Sequence, residues 1–260
     1  MTKAIGVIPA RYGSTRLPAK ALALLRGRPL VQHVYERAKQ AKRLDDVVVA
    51  TDDARIARAV ADIGGQAVMT DPAHRSGTER IAEVARQRDA QVFLNIQGDE
   101  PLVRPEQLDQ LAVFLLAHQA VPMATLMTKL TRPEDLTNPN VVKVVVNQDG
   151  YALYFSRSPI PFIKQPVAAG SFNPQSAIRN PQLHWKHLGI YGYQRPFLLR
   201  VPQLAPTPLE QAEQLEQLRV LEHGYTIKVL ETAWETIGVD TAEDLARVEA
   251  VFGATTPLGA

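Results

Sequence analysis

The chain has 260 residues, of which 45% are hydrophobic and 22% charged, as in a globular protein large enough for a sizeable core. Its formal net charge is only +2, so no general attraction to nucleic acid follows, and without cysteine it forms neither disulfides nor thiolate metal sites. No apolar run reaches the ~18 residues of a membrane span, so a cytoplasmic protein with neither a membrane nor a nucleic-acid partner is expected.

A basic loop follows the first predicted strand, the apolar run AIGVI. The loop covers residues 8–20, IPARYGSTRLPAK, and contains Arg11, Arg16 and Lys20. Arginine offers a planar fork, lysine a point charge, and Gly13 lets the main chain approach closely, a combination that suits a polyphosphate. For this stretch alone, a solvated basic loop is the alternative interpretation.

Predicted strands and helices alternate over the first hundred residues. The strands after the first are DVVVA (46–50), AVM (67–69) and VFLNIQ (92–97), and helical spacing runs from Pro29 to about Arg43. This alternation predicts a parallel, doubly wound α/β sheet. Loops with polar groups leave the strands at one edge, where open α/β sheets bind ligands. They cover residues 11–20, 51–53, 75–78 and 98–100.

The second half of the chain does not continue the regular alternation of predicted strands and helices. Residues 164–186 are predicted to be a long surface excursion, and one helix is predicted from about Leu209 to Glu222. Further strands are predicted at 123–127, 141–146, 151–155, 187–193 and 227–230. The expected architecture is α/β, with a doubly wound, mostly parallel sheet. It forms a single domain over residues 1–260, with a smaller inserted dimerisation subdomain at about 130–195.

The familiar nucleotide motifs GxxxxGK[ST] and GxGxxG are absent, which excludes a P-loop and disfavours a dinucleotide fold. A polyphosphate usually needs a divalent metal, which takes carboxylate ligands, and Asp99 in the turn GDEP is a candidate. A solvated turn aspartate is the alternative. Asp240 precedes a predicted helix, where the capping-box spacing of Thr241 and Asp244 also allows a cap-region role. Ser76 likewise allows either a helix cap or, beside Gly77, an anion or base contact.

Taken in order, the motifs resemble the 3-deoxy-manno-octulosonate (Kdo) cytidylyltransferases over roughly residues 4–251. The resemblance rests on IPARYGSTRLPAK, VVVATDD, HRSGTER, NIQGDEP, NPNVVKVV, YALYFSRSPIP, HLGIYGY, LEQLRVLEHG and GVDTAED. The first of these is shared by many sugar nucleotidyltransferases, whereas the ordered set is far more specific. One departure is Ala19, where the family more often has glycine. The stretch 164–186 matches poorly.

The resemblance implies a nucleotide-diphospho-sugar transferase-like fold and transfer of CMP from CTP to Kdo, with Mg²⁺ as cofactor. It also implies a homodimer whose product feeds lipopolysaccharide assembly. The implied catalytic residues are Arg11, Lys20, Asp99 and Asp240, the last two being the metal ligands. The implied CTP-binding residues are Ala10, Arg11, Arg16, Lys20, Ser76, Gly77 and Asp99.

The same resemblance implies an acidic eight-carbon sugar held by Gln97, Arg157, His187, Tyr191 and Glu216. All but Gln97 have a plainer interpretation: a surface arginine, a structural histidine, a core tyrosine and a solvated helical glutamate. Two other functions are considered: a cytidylyltransferase for sialic acid or an amino-substituted Kdo, and a catalytically silent nucleotide-sensing protein. The presence of both aspartates, Arg11 and Lys20 disfavours the silent protein.

Overall fold

The computed structural model describes residues 2–13, 17–164 and 183–254. Its strands are β1 (Thr2–Ala10), β2 (Leu24–Leu25), β3 (Arg28–Pro29), β4 (Asp46–Thr51), β5 (Ala67–Met69), β6 (Ala90–Asn95), β7 (Met123–Lys129), β8 (Lys143–Val146), β9 (Ala152–Ser156), β10 (Trp185–Gln194) and β11 (Ile227–Glu231). Its α-helices are α1 (Leu30–Ala38), α2 (Ala54–Ala61), α3 (Gly77–Gln87), α4 (Pro105–Ala117), α5 (Pro133–Thr137), α6 (Arg195–Arg200), α7 (Pro208–Glu213), α8 (Gln217–Glu222) and α9 (Ala242–Ala254). Short 3-10 helices occupy Lys20–Leu22 and Val201–Gln203.

The chain divides into two compact units, each made of separate stretches of sequence. The first comprises Met1–His118, Gly192–Pro202 and Thr236–Ala260, and the second Gln119–Tyr191 and Gln203–Glu235. The single domain over residues 1–260, with a dimerisation insertion at about 130–195, stays a prediction.

The first unit contains the parallel strands β6-β1-β4-β5, in that order. In β1, Val7 lies opposite Val48 of β4 and Asn95 of β6. Consecutive β1 residues Val7 and Ile8 are both fully buried, although their side chains point to opposite faces of the sheet. Burial on both faces is the signature of a covered parallel strand, and the predicted α/β fold with a mainly parallel sheet is confirmed.

The carboxyl ends of these strands lead into the predicted polar loops. Helices begin directly after two of those loops, and a side chain caps each helix start. The Asp53 carboxylate accepts from the main-chain N–H of Arg55 at the start of α2 (2.9 Å). The Ser76 hydroxyl accepts from the N–H of Glu79 at the start of α3 (3.2 Å). The caps fix how the loops at this edge enter their helices.

The second unit combines a parallel and an antiparallel part. In the parallel part, β7 pairs with β11, placing Thr125 opposite Val229. In the antiparallel part, β8 pairs with β9 and with the first residues of β10. The Thr125 hydroxyl donates to the Ile190 carbonyl (2.8 Å), tying β7 to β10 within this unit.

Two predicted helices were wrong in extent. The helix predicted over 209–222 is two helices, α7 and α8, because Gln214 adopts a left-handed conformation (φ 53°) that ends α7. Glycine usually occupies such a position, so the sequence carried no stop signal. Helix α1 ends at Ala38, short of the predicted Arg43. Residues 165–182 of the predicted excursion lie outside the described residues, and its last residues, Trp185 and Lys186, belong to β10.

Candidate active site

Lys20 bridges two carboxylates that come from distant parts of the chain. Its Nζ lies 2.5 Å from Oδ2 of Asp99 and 2.9 Å from Oδ1 of Asp240. Lys20 begins the 3-10 helix after the basic loop, Asp99 lies in the turn after β6, and Asp240 precedes α9. The side chains of Lys20, Asp99 and Asp240 are 20%, 27% and 40% exposed, so a ligand can reach the cluster. The structure therefore brings Asp99 and Asp240, the two predicted metal ligands, to the same ammonium.

Main-chain contacts explain why the two carboxylates meet. The N–H of Val239 donates to the carbonyl of Asp99 (2.8 Å), which fixes the segment before α9 against the turn after β6. Gly98 lets that turn approach β1, since a Cβ there would lie 2.9 Å from the Pro9 carbonyl oxygen. The turn and the final segment are thus held independently of any ligand.

The capping question at Asp240 is resolved by its neighbours. Thr241 and Asp244 form the reciprocal cap of α9, because the Asp244 N–H donates to the Thr241 hydroxyl and the Thr241 N–H to the Asp244 carboxylate, both at 3.1 Å. The Asp240 side chain is therefore not the cap, and it accepts from the Lys20 ammonium instead.

The electrostatics of the cluster favour the charged lysine. Burial by itself lowers the pKa of Lys20, but the adjacent Asp99 and Asp240 carboxylates outweigh it and raise that pKa above its ordinary value. Lys20 therefore carries a full positive charge at neutral pH. The residue before Lys20, Ala19, has a left-handed main chain (φ 52°), a conformation that residues other than glycine seldom adopt. Glycine adopts that conformation without strain, which explains the family's preference at this position.

A cavity of about 290 Å³ lies beside the cluster. It gathers the predicted residues Ala10, Arg11, Lys20, Ser76, Gly77, Gln97, Asp99 and Asp240 along its wall. Ser76 both caps α3 and lines the cavity, so its two predicted roles are compatible. Arg16 lies outside the described residues.

Three further polar side chains, to which the motifs assign no individual role, also line the cavity: His74, Arg75 and Arg80. Arg80 is the most constrained, being only 3% exposed. Its guanidinium donates to the Thr70 hydroxyl (2.5 Å) and to the Asp52 carboxylate (2.7 Å). The motifs HRSGTER and VVVATDD contain Arg80 and Asp52, but sequence alone does not show that the two side chains pair.

The basic loop also has an anchor that the sequence did not reveal. The guanidinium carbon of Arg55 lies 3.4 Å from the ring centroid of Tyr12, a cation–π contact. Asp53 holds that guanidinium through bonds of 3.0 and 2.6 Å. Helix α2 thereby supports the loop that carries Arg11.

The predicted sugar-binding residues belong to both units. Gln97 lines the cavity in the first unit, whereas Arg157, His187, Tyr191 and Glu216 belong to the second. Glu216 directly precedes α8 and lines a separate cavity of about 220 Å³ with Gln214 and Glu210. Their roles in sugar binding stay predictions.

Arg157 is held by main-chain carbonyls of its own unit. Its guanidinium donates to the carbonyls of Glu213 (2.7 Å), Pro139 (2.9 Å) and Gln214 (3.3 Å). A guanidinium has five N–H groups, so these bonds leave donor capacity for a ligand. Arg157 is thus more constrained than the surface arginine of the plainer interpretation.

His187 is buried and uncharged. Its Nε2 lies 3.0 Å from the Thr125 hydroxyl, whose proton is directed to Ile190, so Nε2 is the donor. Burial lowers the pKa of His187 to about 3. Its ring contacts those of Phe155 and Tyr191, with centroids 4.9 and 5.4 Å away. Any role of His187 toward a sugar is therefore that of a neutral side chain.

The carboxylate oxygens of Asp99 and Asp240 are suitable ligands for a hard divalent cation. Asp99 and Asp240 already approach one cation, the ammonium, at 2.5 and 2.9 Å, and oxygen ligands are those that Mg²⁺ prefers. Among the described residues, no group of three or more His, Cys, Asp or Glu side chains is placed to hold a metal ion. A metal here would thus rely on two carboxylates and on oxygens of the substrate. No helix in the described part of the chain is long and apolar enough to cross a membrane.

Comparison with known proteins first defines the class. The family described as cytidylyltransferase matches residues 5–230, so this chain is a member of the cytidylyltransferases. A 4-diphosphocytidyl-2C-methyl-D-erythritol synthase structure from Anaerococcus prevotii, 12% identical, superposes with a TM-score of 0.63 over 97% of this chain and 99% of its own, which supports the fold alone.

Closer relatives define the family within that class. Proteins named 3-deoxy-manno-octulosonate cytidylyltransferase are 49% identical in Geobacter metallireducens, over 95% of this chain and 96% of the relative, and 50% identical in Geotalea uraniireducens, over 95% and 97%. A solved CMP:2-keto-3-deoxy-manno-octonic acid synthetase complexed with CTP is 44% identical, with a TM-score of 0.86 over 97% of this chain and 99% of that one. The chain belongs to the 3-deoxy-manno-octulosonate cytidylyltransferase family.

Proposed function

We propose that this chain transfers the CMP group of CTP to the anomeric hydroxyl of Kdo, giving CMP-Kdo and pyrophosphate. The main support for this proposal is the position of Lys20 between Asp99 and Asp240, in the wall of a cavity that Arg11 also lines. In this proposal the two cations bind the triphosphate and the adjacent carboxylates bind its metal. The names of the relatives and the CTP complex of the similar structure support the choice of substrates.

The reaction exchanges one bond to the α-phosphorus for another. The anomeric oxygen forms a bond to that phosphorus, the bond to the bridging oxygen of the pyrophosphate breaks, and the hydroxyl proton passes to solvent. Such transfer depends mainly on positioning and charge neutralisation. Arg11 and Lys20 bind the triphosphate in this proposal, with Arg16 in support. The main chain at Ala10 and the Ser76–Gly77 segment contact the cytosine base.

Asp99 and Asp240 are the proposed Mg²⁺ ligands. Bound there, Mg²⁺ would neutralise charge that develops on the phosphate oxygens. Lys20 would be released toward the triphosphate if its two carboxylate partners held the ion. Lys20 then exchanges two carboxylate contacts for contacts with phosphate oxygens, which are equally suited to an ammonium.

The acidic sugar is bound by Gln97, Arg157, His187, Tyr191 and Glu216 in this proposal. Arg157 supplies the positive charge for the sugar carboxylate, and neutral His187 supplies a hydrogen bond at most. The homodimer, the cytoplasmic location and the supply of product to lipopolysaccharide assembly are proposed from the family.

The first experiment measures pyrophosphate release with CTP and Mg²⁺. Kdo, its 8-amino analogue and N-acetylneuraminate are compared as acceptors, and Kdo is expected to be preferred. Preference for another acidic sugar would retain the nucleotide chemistry and overturn the sugar assignment. Binding of CTP with no turnover of any acceptor would instead support the silent nucleotide-sensing protein.

Asp99→Asn tests the metal assignment in the same assay. The substitution keeps the size of the side chain but removes its charge, so turnover is expected to fall by at least about 10³-fold while the melting temperature changes little. Asp62→Asn, at the end of α2, is the control and should retain native activity. Near-native turnover of Asp99→Asn would remove Asp99 from the metal site.

A further inference from the structure

Lys143 is a buried lysine with all three of its N–H groups bound by main-chain carbonyls. It lies at the start of β8 and is fully buried. Its ammonium donates to the carbonyls of Asn138 (3.0 Å), Val141 (2.6 Å) and Arg157 (2.5 Å). An ammonium has three donors, so this set satisfies it completely. A buried apolar side chain would leave these carbonyls without this donor.

The bonds of Lys143 join those of Arg157 into one network. Lys143 binds the Arg157 main chain, and the Arg157 side chain binds the carbonyls of Pro139, Glu213 and Gln214. Three segments are joined in this way: the 138–141 stretch before β8, the end of β9, and the turn between α7 and α8. Except for Glu213, the last residue of α7, the residues that supply these carbonyls lie outside helices and strands, so the two cations supply order that strand and helix hydrogen bonds do not.

Three charged side chains act on Lys143: the carboxylates of Glu213 and Asp135 and the guanidinium of Arg157. Glu213 faces the network, and its carboxylate accepts from the Ser156 hydroxyl (2.6 Å) and the Arg157 N–H (2.9 Å). Asp135, in the preceding helix α5, accepts from the Arg132 guanidinium (2.8 Å). Burial lowers the pKa of Lys143 to about 8, helped by the positive Arg157 and opposed by Glu213 and Asp135. The side chain is therefore mostly an ammonium at pH 7 and mostly an amine above pH 9.

We propose that Lys143 is a positioning residue for the acidic sugar, acting by fixing the main chain of Arg157. The proposal rests on the proposed function, in which Arg157 meets the sugar carboxylate. Lys143 itself touches no substrate. Its ammonium determines where the Arg157 backbone lies, and the backbone determines where the guanidinium can reach.

A purely structural lysine would give a different kinetic signature. Loss of general stability lowers the amount of folded enzyme and leaves both Michaelis constants unchanged. Loss of positioning raises KM for the sugar, while KM for CTP stays the same. The split between the two Michaelis constants therefore separates the two roles.

The test compares Lys143→Met with Lys228→Met in steady-state assays at pH 7. Lys228 is the matched control, because it lies in the same unit and its ammonium also donates to a main-chain carbonyl, that of Asp149. For Lys143→Met we expect KM for Kdo to rise by about tenfold or more, the effect of a lost charge-assisted bond, with KM for CTP within about twofold of native. Lys228→Met should match native enzyme in both. Equal changes in both Michaelis constants, or none, would overturn the proposal.

A pH titration of the native enzyme covers the case in which Lys143→Met does not fold. Between pH 7 and 9.5, loss of the ammonium proton removes one of three donors, so KM for Kdo should rise with an apparent pKa near 8 while KM for CTP stays flat. A flat KM for Kdo across this range would contradict the proposal. If the native chain does not use Kdo at all, the proposed function has failed; if it does and no split is found, only the role of Lys143 has failed.

Discussion

A single lysine has two sets of partners in the proposed cycle. In the structure, the Lys20 ammonium neutralises Asp99 and Asp240, which are the proposed metal ligands. When substrate binds, the same ammonium is proposed to contact the triphosphate. Binding of the metal and binding of the nucleotide therefore both depend on Lys20 leaving the two carboxylates. Each ligand should consequently increase the affinity of the protein for the other.

Lys20→Met should increase the affinity of the free protein for divalent cations. The substitution removes the ammonium that competes for both carboxylates. In the absence of nucleotide, Lys20→Met is therefore expected to bind Mn²⁺ at least about tenfold more tightly than native protein does. Electron paramagnetic resonance of free Mn²⁺ measures this directly. Lys3→Met, at an exposed position in β1, should leave Mn²⁺ binding unchanged. Weaker Mn²⁺ binding to Lys20→Met would contradict the competition.

The sequence predicted the members of this site but not their contacts. It identified Lys20, Asp99 and Asp240 from loop position and motif, since such signals are local. It left open whether Asp240 or its neighbours cap α9, because both roles require the same residue types at the same spacing. Only the three-dimensional contacts of Thr241 and Asp244 decide between them.

At the scale of elements, one arginine of α3 joins two loops. Arg80 bonds Asp52, which follows β4, and Thr70, which follows β5. These contacts hold the start of α3, and with it Ser76 and Gly77, beside the ends of two strands. The sheet predicts that these loops meet at one edge, whereas the pairing of particular side chains across them has no local signal.

Arg80→Met should destabilise the protein strongly. It leaves the largely buried Asp52 carboxylate without its partner, at a cost of about 3 kcal/mol in the free energy of unfolding. Urea denaturation measures the change. Arg80→Lys should rescue little of it, because a point charge cannot contact both Asp52 and Thr70 as the fork does. Arg58→Met, exposed on α2, should stay within about 0.5 kcal/mol of native. A similar cost at both positions would show that the Arg80 pairing contributes nothing special.

At the scale of the whole molecule, buried His187 makes stability depend on pH. Its pKa falls from an ordinary 6.5 to about 3 on folding, so the unfolded chain binds a proton that the folded chain does not between those values. The stabilisation is complete above pH 6.5 and is lost as the pH falls toward 3. The expected slope is about 1.4 kcal/mol per pH unit below pH 6.

The measurement is the free energy of unfolding of native protein and His187→Gln between pH 7 and 4.5. Native protein should lose stability more steeply on acidification, and the difference between the two curves isolates this one group. His118→Gln, at an exposed position, should follow the native curve. Parallel curves for native protein and His187→Gln would show that the histidine accepts a proton in the folded state.

The overall architecture was predictable because hydrophobic periodicity repeats along the chain. The alternation of strands and helices before residue 100 gave the parallel sheet correctly. The break between α7 and α8 was missed because Gln214 takes a left-handed conformation without the glycine that usually announces it. The network around Lys143 was missed for a different reason: its acceptors are main-chain carbonyls, which every residue has.

The interleaving of the two units has a consequence for synthesis on the ribosome. Asp240 lies 220 residues after Lys20, in the last stretch of the first unit. A nascent chain that has emerged as far as α4 already contains Lys20 and Asp99 but not the second carboxylate. The complete ion cluster can therefore form only after nearly the whole chain has been translated, so unfinished polypeptides cannot assemble the proposed metal site.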